Sequence, residues 1–266
     1  MVLGLGQPDV AQALDNRADV TDTLCATVSQ GKYAEAEPLY ERWQAIFETA
    51  LGPEHPNVAT ALNNRAGLLE DQRRQTNFSP PLPVTFQGKY EEAEPLYMLS
   101  LAIDEKVYGP DHLEVAEDLN NCAGLLSIEG KYTEAEPLYE RCQAIFETVL
   151  GPEHPDLATA LNNRARLLES QALNKRVGVE GKCLCLFATS YRPHFVWLNY
   201  EYICQGNYAE AKPLYERSQA IRKKVLGPDH PDVATVLNNR AGLLKILLSL
   251  ENPGVAQALH NSTGVS

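Results

Sequence analysis

The sequence predicts an all-α solenoid of stacked helix pairs, and three observations carry that prediction. A segment that starts at Gly31 recurs, in places almost word for word, from Gly88, Gly130 and Gly206. Within each copy the apolar residues keep the three- and four-residue spacing of one helical face. Each copy is broken once, at the same place, by Gly-Pro followed by Glu or Asp and then His. The starts lie 57, 42 and 76 residues apart, so 42 is the uninterrupted period. The two longer gaps exceed it by 15 and 34 residues, which marks insertions at 73–87 and 172–205.

The elements follow in order. Residues 1–30 hold a partial repeat, because the run from Gln7 to Ala18 matches the start of a second helix of the pair. Residues 31–250 form the array. In its first unit one helix is predicted from Tyr33 to about Leu51, with Tyr33, Ala36, Tyr40, Trp43, Ile46 and Ala50 along its apolar face. Gly52 and Pro53 end it. A second helix is predicted from about Pro56 to Gln72, with Val58, Leu62, Ala66 and Leu69 as its stripe. Proline suits its first turn, where a missing N–H costs nothing. Gly130 then supplies a tight turn between units. Residues 251–266 read as a degenerate partial repeat or a disordered tail. Neither end shows a polar capping helix, as a segment of a longer array would not. A lone helix pair leaves its stripe exposed, and stacking neighbours cover it, so about nine helices in an array are expected.

Three departures stand out. Arg17, Arg65, Arg164 and Arg240 stand in the apolar run of the second helices, where Cys122 stands in the Gly88 copy. Such an arginine either lays its stem on the core with its head on a glutamate, or presents that head to a ligand. Trp43 replaces Ser100, Cys142 and Ser218 of the other copies and is expected to overpack its helix pair. Pro38, Pro95, Pro137 and Pro213 fall inside each first helix and are expected to kink it.

Composition narrows the function. A formal charge of −12 argues against nucleic acid and anionic lipid as partners. The chain start lacks the basic stretch and apolar run of a signal peptide, and no run of 18 apolar residues occurs. The six cysteines form no C-x-x-C pair and have no zinc-ligand histidines, so free thiols in the cytoplasm, with no metal or other cofactor, are expected. No phosphate loop, H-E-x-x-H or G-x-S-x-G is present, and no catalytic residue is proposed. His55, His112, His154 and His230 recur in every linker, as a turn residue does and a catalytic histidine does not.

At Leu62, Ala66 and Leu69, followed by Ala93 and Tyr97, the repeats resemble tetratricopeptide (TPR) units. The G-K-Y-x-E-A-E-P-L-Y and G-P-[ED]-H-P-x-[VL]-A-T-x-L-N-N runs are similar to the kinesin light chain variety, over about residues 31–244 less the insertions. The resemblance implies a right-handed superhelix that binds peptide segments of other proteins in a concave groove. It implies the cytoplasm and the cytoskeleton as location, and the kinesin heavy chain as a partner. No heptad coiled coil supports that last link here. A second reading is the sensor arm of an NB-ARC-type nucleotide-switch protein. The helix carrying paired asparagines is the one the resemblance places in the groove. The expected peptide contacts are therefore Asn64, Asn121, Asn163 and Asn239, with their neighbours Asn63, Asn120, Asn162 and Asn238, and Arg65 and Arg164 at the margin. An amide both donates and accepts, so it can pair with peptide backbone or bridge neighbouring helices. Of the insertions, 73–87 is proline-rich and reads as irregular loop, while 172–205 is rich in aromatics. The second reads as a docking flap or strand-forming lid. Both also end in Gln before the repeat glycine, which fits retained in-frame introns.

Overall fold

The computed structural model describes residues 33–76, 88–186 and 194–251, and every regular element among them is an α-helix. There are eight: α1 Tyr33–Leu51, α2 Pro56–Thr76, α3 Gly88–Tyr108, α4 Leu113–Ile128, α5 Tyr132–Val149, α6 Pro155–Leu186, α7 His194–Leu226 and α8 Pro231–Glu251. The half-repeats predicted at the two ends lie outside the described residues. The chain divides into two compact units, one through Leu125 and one from Leu126.

In the first unit α2 packs against both α1 and α3. Ala36, Trp43 and Phe47 of α1 meet Val58, Ala59, Ala61, Leu62 and Leu68 of α2, with Ile103 of α3. In the second unit α5 packs on α6, α6 on α7, and α7 on α8. Ala165, Leu168 and Ala172 of α6 meet Tyr208, Ala211 and Tyr215 of α7 and Val236 and Leu243 of α8. The second helix of a pair thus buries two sides, one on its own first helix and one on the next repeat. A single predicted stripe undercounts this.

The linkers explain their own residues. Gly52, Gly109, Gly151 and Gly227 all hold φ near +90°, which a side chain resists. The histidine that follows two residues after the proline is the N-cap of the next helix. Nδ1 of His55, His112, His154 and His230 accepts the N–H of Asn57, Glu114, Asp156 and Asp232, at 3.1–3.2 Å. Side-chain caps of this kind satisfy an N–H that a helix start leaves unpaired. We expect His154→Ala to destabilise the second unit by about 1 kcal/mol and His154→Asn to cost little. Urea denaturation measures both, and an innocuous His154→Ala would remove the capping role.

The four in-helix prolines are exposed, and the helices run on through them. Trp43 is buried rather than expelled. It stacks at a tilt on Tyr40 and Phe47, with ring centroids 6.0 and 5.7 Å away. The second insertion requires a correction. In place of the strand expected of a strand-forming lid, α6 continues to Leu186 and α7 starts at His194, so both helices are prolonged into it. A formed helix end extends without a new nucleation step, which outweighs the strand preference of the aromatic run. Most of 73–87 lies outside the described residues.

Candidate functional site

The paired asparagines sit mid-way along the second helices, and within each unit they form a ladder. Asn121 Nδ2 of α4 donates to Asn63 Oδ1 of α2 at 3.1 Å. Asn239 Nδ2 of α8 donates to Asn162 Oδ1 of α6, also at 3.1 Å. The first amide of one repeat is therefore bonded to the second amide of the next. Asn120 donates to Asn121 Oδ1 at the long distance of 3.5 Å. Asn162 is buried, Asn64 and Asn238 are exposed, and the other five are half-buried. Each bridging donor, Asn121 and Asn239, keeps a second N–H that its bridge does not use.

The arginines beside them take the first of the two sequence readings. Arg65 donates to Gln44 Oε1 at 3.2 Å and to Glu41 Oε1 at 2.7 Å. Arg240 repeats this on Gln219 and Glu216 at 2.9 and 2.8 Å, and Arg164 on Gln143 and Glu140. Each clasp joins the two helices of one repeat. Because the pairs are part-exposed, each contributes no more than about 1 kcal/mol.

A profile of the tetratricopeptide repeat family matches residues 26–76, 85–130, 119–175 and 202–262, most of the chain. The chain belongs to the tetratricopeptide repeat family. Its fold is similar to the crystal structure of BtubC (BKLC) from P. vanneervenii, with a TM-score of 0.63 and 16% identity over 97% of this chain and 85% of that one. A crystal structure of nearly identical TPR-like repeats from Podosopora anserina, named as a kinesin light chain, aligns at 21% identity over 78% of this chain and 95% of that one, with a TM-score of 0.49. No curated protein matches the chain. TPR arrays mediate association with other proteins, and the TPR signature residues Leu62, Ala66, Leu69, Ala93 and Tyr97 are all buried between helices here.

One TPR unit departs from its neighbours further than the Cys122 that the sequence reading singled out. In the Gly88 repeat the Arg–Gln–Glu clasp is replaced as a set by Cys122, Leu101 and Met98. Cys122 is buried and unpaired, and burial followed by the charge of Asp118 pushes its thiol up to about 12. The same repeat carries Asp104 and Asp118 where the first has Phe47 and Ala61 and the third Phe146 and Ala160. Both acids are buried, 5% and 2% exposed. Ser100 Oγ lies 3.1 Å from both Asp118 oxygens and 2.9 Å from Ala59 O. That hydroxyl has one hydrogen for three acceptors. Given to Ala59 O, as Ser218 gives its own to Ala158 O at 2.6 Å, it leaves Asp118 in need of a proton. Burial, then the negative charge of Asp104, pushes Asp118 up to about 8. Burial, then Glu114, pushes Asp104 up to about 6. Aligning the repeats exposes these acids, since two charges at positions that are apolar in the first and third repeats are the signal, although the Gly206 repeat also carries a charge, Arg222, in place of Asp104.

Among the described residues no three His, Cys, Asp or Glu side chains gather as metal ligands, and no helix is long and apolar enough to cross a membrane.

Proposed function

We propose that this TPR chain is a non-catalytic scaffold that holds extended peptide segments of partner proteins along its asparagine-bearing helices, as the cargo-binding arm of kinesin light chain does. One observation carries the reading: four amide pairs recur at the same place in four repeats, and within each unit the bridged pairs stand beside amides that are still exposed. Bridging fixes the amide planes of Asn121 and Asn239, so their outward N–H groups meet a ligand backbone with little ordering cost, while Asn64 and Asn238 present whole exposed amides beside them. Asn64 and Asn238 are the foremost contacts. Asn121 and Asn239 follow through their second N–H groups, and Asn163 stands at the matching position of its repeat. Asn63, Asn120 and Asn162 support them, and Arg65 and Arg164 mark the margin. The partners are proteins, and the cytoplasm is the compartment that fits free thiols.

A peptide library panned on the full chain tests this. We expect enriched peptides whose affinity falls about tenfold or more on Asn64→Ala with Asn238→Ala, a loss of about 1.4 kcal/mol. The melting temperature should stay nearly unchanged, because neither amide is a bridge. Affinity indifferent to both substitutions would remove the asparagine face as the binding surface.

A further inference from the structure

Each unit holds one joint where a first helix lies on the second helix of the repeat before it, α3 on α2 and α7 on α6. At both joints a buried serine donates to a carbonyl of the earlier repeat, Ser100 to Ala59 O at 2.9 Å and Ser218 to Ala158 O at 2.6 Å. The two joints differ in what else the hydroxyl meets. Beside Ser218, the position that matches Asp118 is the buried Val236. The position that matches Asp104 is Arg222, which donates to Asp232 O and Thr159 Oγ1, both at 3.1 Å. Among the described residues the Ser218 hydroxyl thus has one acceptor, Ala158 O.

Ser100 has three, because both Asp118 oxygens lie 3.1 Å away. Asp118 is also hydrogen-bonded to Asp104, whose Oδ1 is buried with no partner among the described residues. Two buried carboxyl groups in contact hold at least one proton between them, since two like charges there repel and lack solvent. With that proton on Asp118, its hydroxyl serves Asp104, and the Ser100 hydrogen is left for Ala59 O, as at the twin joint. When the proton goes to solvent, the Asp118 carboxylate draws the Ser100 hydrogen to itself, and the bond that crosses to α2 is lost. The buried charge then needs water, which reaches it when the joint opens.

The other groups around the pair do not hold it ionised. They are Tyr108 of α3, Glu114 and Cys122 of α4, His112 of the linker and, from α2, the neutral Ala59 carbonyl. Of these only His112 can carry positive charge, and it is exposed. Burial and then like charge push Asp104 up to about 6 and Asp118 up to about 8, so the protons leave around neutral pH. The asparagine bridge shares the joint. Asn121 follows Asp118 by about one turn of α4 and donates to Asn63, which follows Ala59 by about one turn of α2.

We propose that the proton shared by Asp104 and Asp118 is a switch at the joint between the Gly31 and Gly88 repeats. With it, α3 and α4 are held to α2 through Ser100 and Asn121. Without it, that joint opens locally while the twin joint of the second unit stays shut. A repeat array permits this, because each repeat contacts only its neighbours and can open on its own. The switch stands whether or not the asparagine face binds peptide.

Amide hydrogen exchange of the full chain, read by mass spectrometry and corrected for the intrinsic effect of pH, tests it. Between about pH 5.5 and about pH 8.5, peptides from α2 and α3 should lose protection about tenfold or more, and those from α6 and α7 should change little. Asp118→Asn still donates to Asp104 and carries no charge, so it should abolish the loss. If that variant has less helix by circular dichroism, Asp118→Ala, which installs the residue of the first and third repeats, takes its place. Unchanged protection of α2 and α3 in the wild type overturns the proposal. An equal loss in both units means that alkali acts on the whole fold, and overturns it too. A loss that persists without the Asp118 carboxyl assigns the titration to another group and overturns it equally.

Discussion

Replacing Asp104 by Phe and Asp118 by Ala should raise the melting temperature, and raise it more at pH 8 than at pH 5. The substitutions install the pair that the first and third repeats carry, Phe47 with Ala61 and Phe146 with Ala160. Both acids are pushed up, Asp104 to about 6 and Asp118 to about 8, above the value of about 4 that an unfolded chain gives an aspartate. A raised acid favours the fold fully below its unfolded value, and that contribution is lost as pH climbs through the folded value. Wild-type stability should therefore fall between about pH 4 and pH 8 as the pair is forced to ionise. The groups facing the pair are Glu114, His112 and Ser100, with the Ala59 carbonyl from α2. At pH 8 we expect a gain of about 2–4 kcal/mol, and at pH 5 a much smaller one. Asp118→Asn, which keeps the shape and cannot ionise, should flatten the same pH profile. Thermal melts of the three proteins at several pH values decide the matter, and parallel profiles for wild type and the double variant would refute the account.

Leu101→Gln should destabilise the first unit by about 2–3 kcal/mol, because it places an amide without partner where the wild type has a buried leucine. The same glutamine is harmless in three other repeats, where an arginine clasps it. Adding Cys122→Arg and Met98→Glu should recover most of the loss. The residues then couple by about 1 kcal/mol or more, as groups in one network do. Urea denaturation of the single and triple variants gives the coupling. If the triple variant is no better than the single one, the three positions do not act as a set.

Most of the helices were legible in the residues. Tyr33 and Leu51 bound α1 as the spacing predicted, and Pro56 opens α2. The linker histidines were legible as turn residues because recurrence in every linker excludes a single catalytic role. Their capping bond was not, since it depends on which ring nitrogen faces which N–H. Of the two readings of the arginines, the residues favoured the one with the head on a glutamate but could not name the glutamate, because a guanidinium reaches as far as a ligand. The partners 21 and 24 residues earlier settle it. The asparagine bridges join the first amide of one repeat to the second of the next, an offset that belongs to the stacking and to no local pattern. The helical course of 172–186 and 194–205 in the second insertion also lay beyond the residues themselves, since extension of an existing helix overrides local preference there.

The arginine clasp has a consequence for how this chain can change over evolutionary time. Its three members always come from one repeat, and so do the alternatives Met98, Leu101 and Cys122, and the acids Asp104 and Asp118 with Ser100. Several contacts between repeats use groups that most copies share, such as an asparagine amide or an alanine carbonyl. The residues of each of these sets are thus inherited as a cassette, and the amide and carbonyl joints between cassettes are generic. Recombination between near-identical copies can add, delete or reorder whole 42-residue units without separating the members of these sets. Selection can then tune the length of the array, and the character of one unit within it, as independent traits.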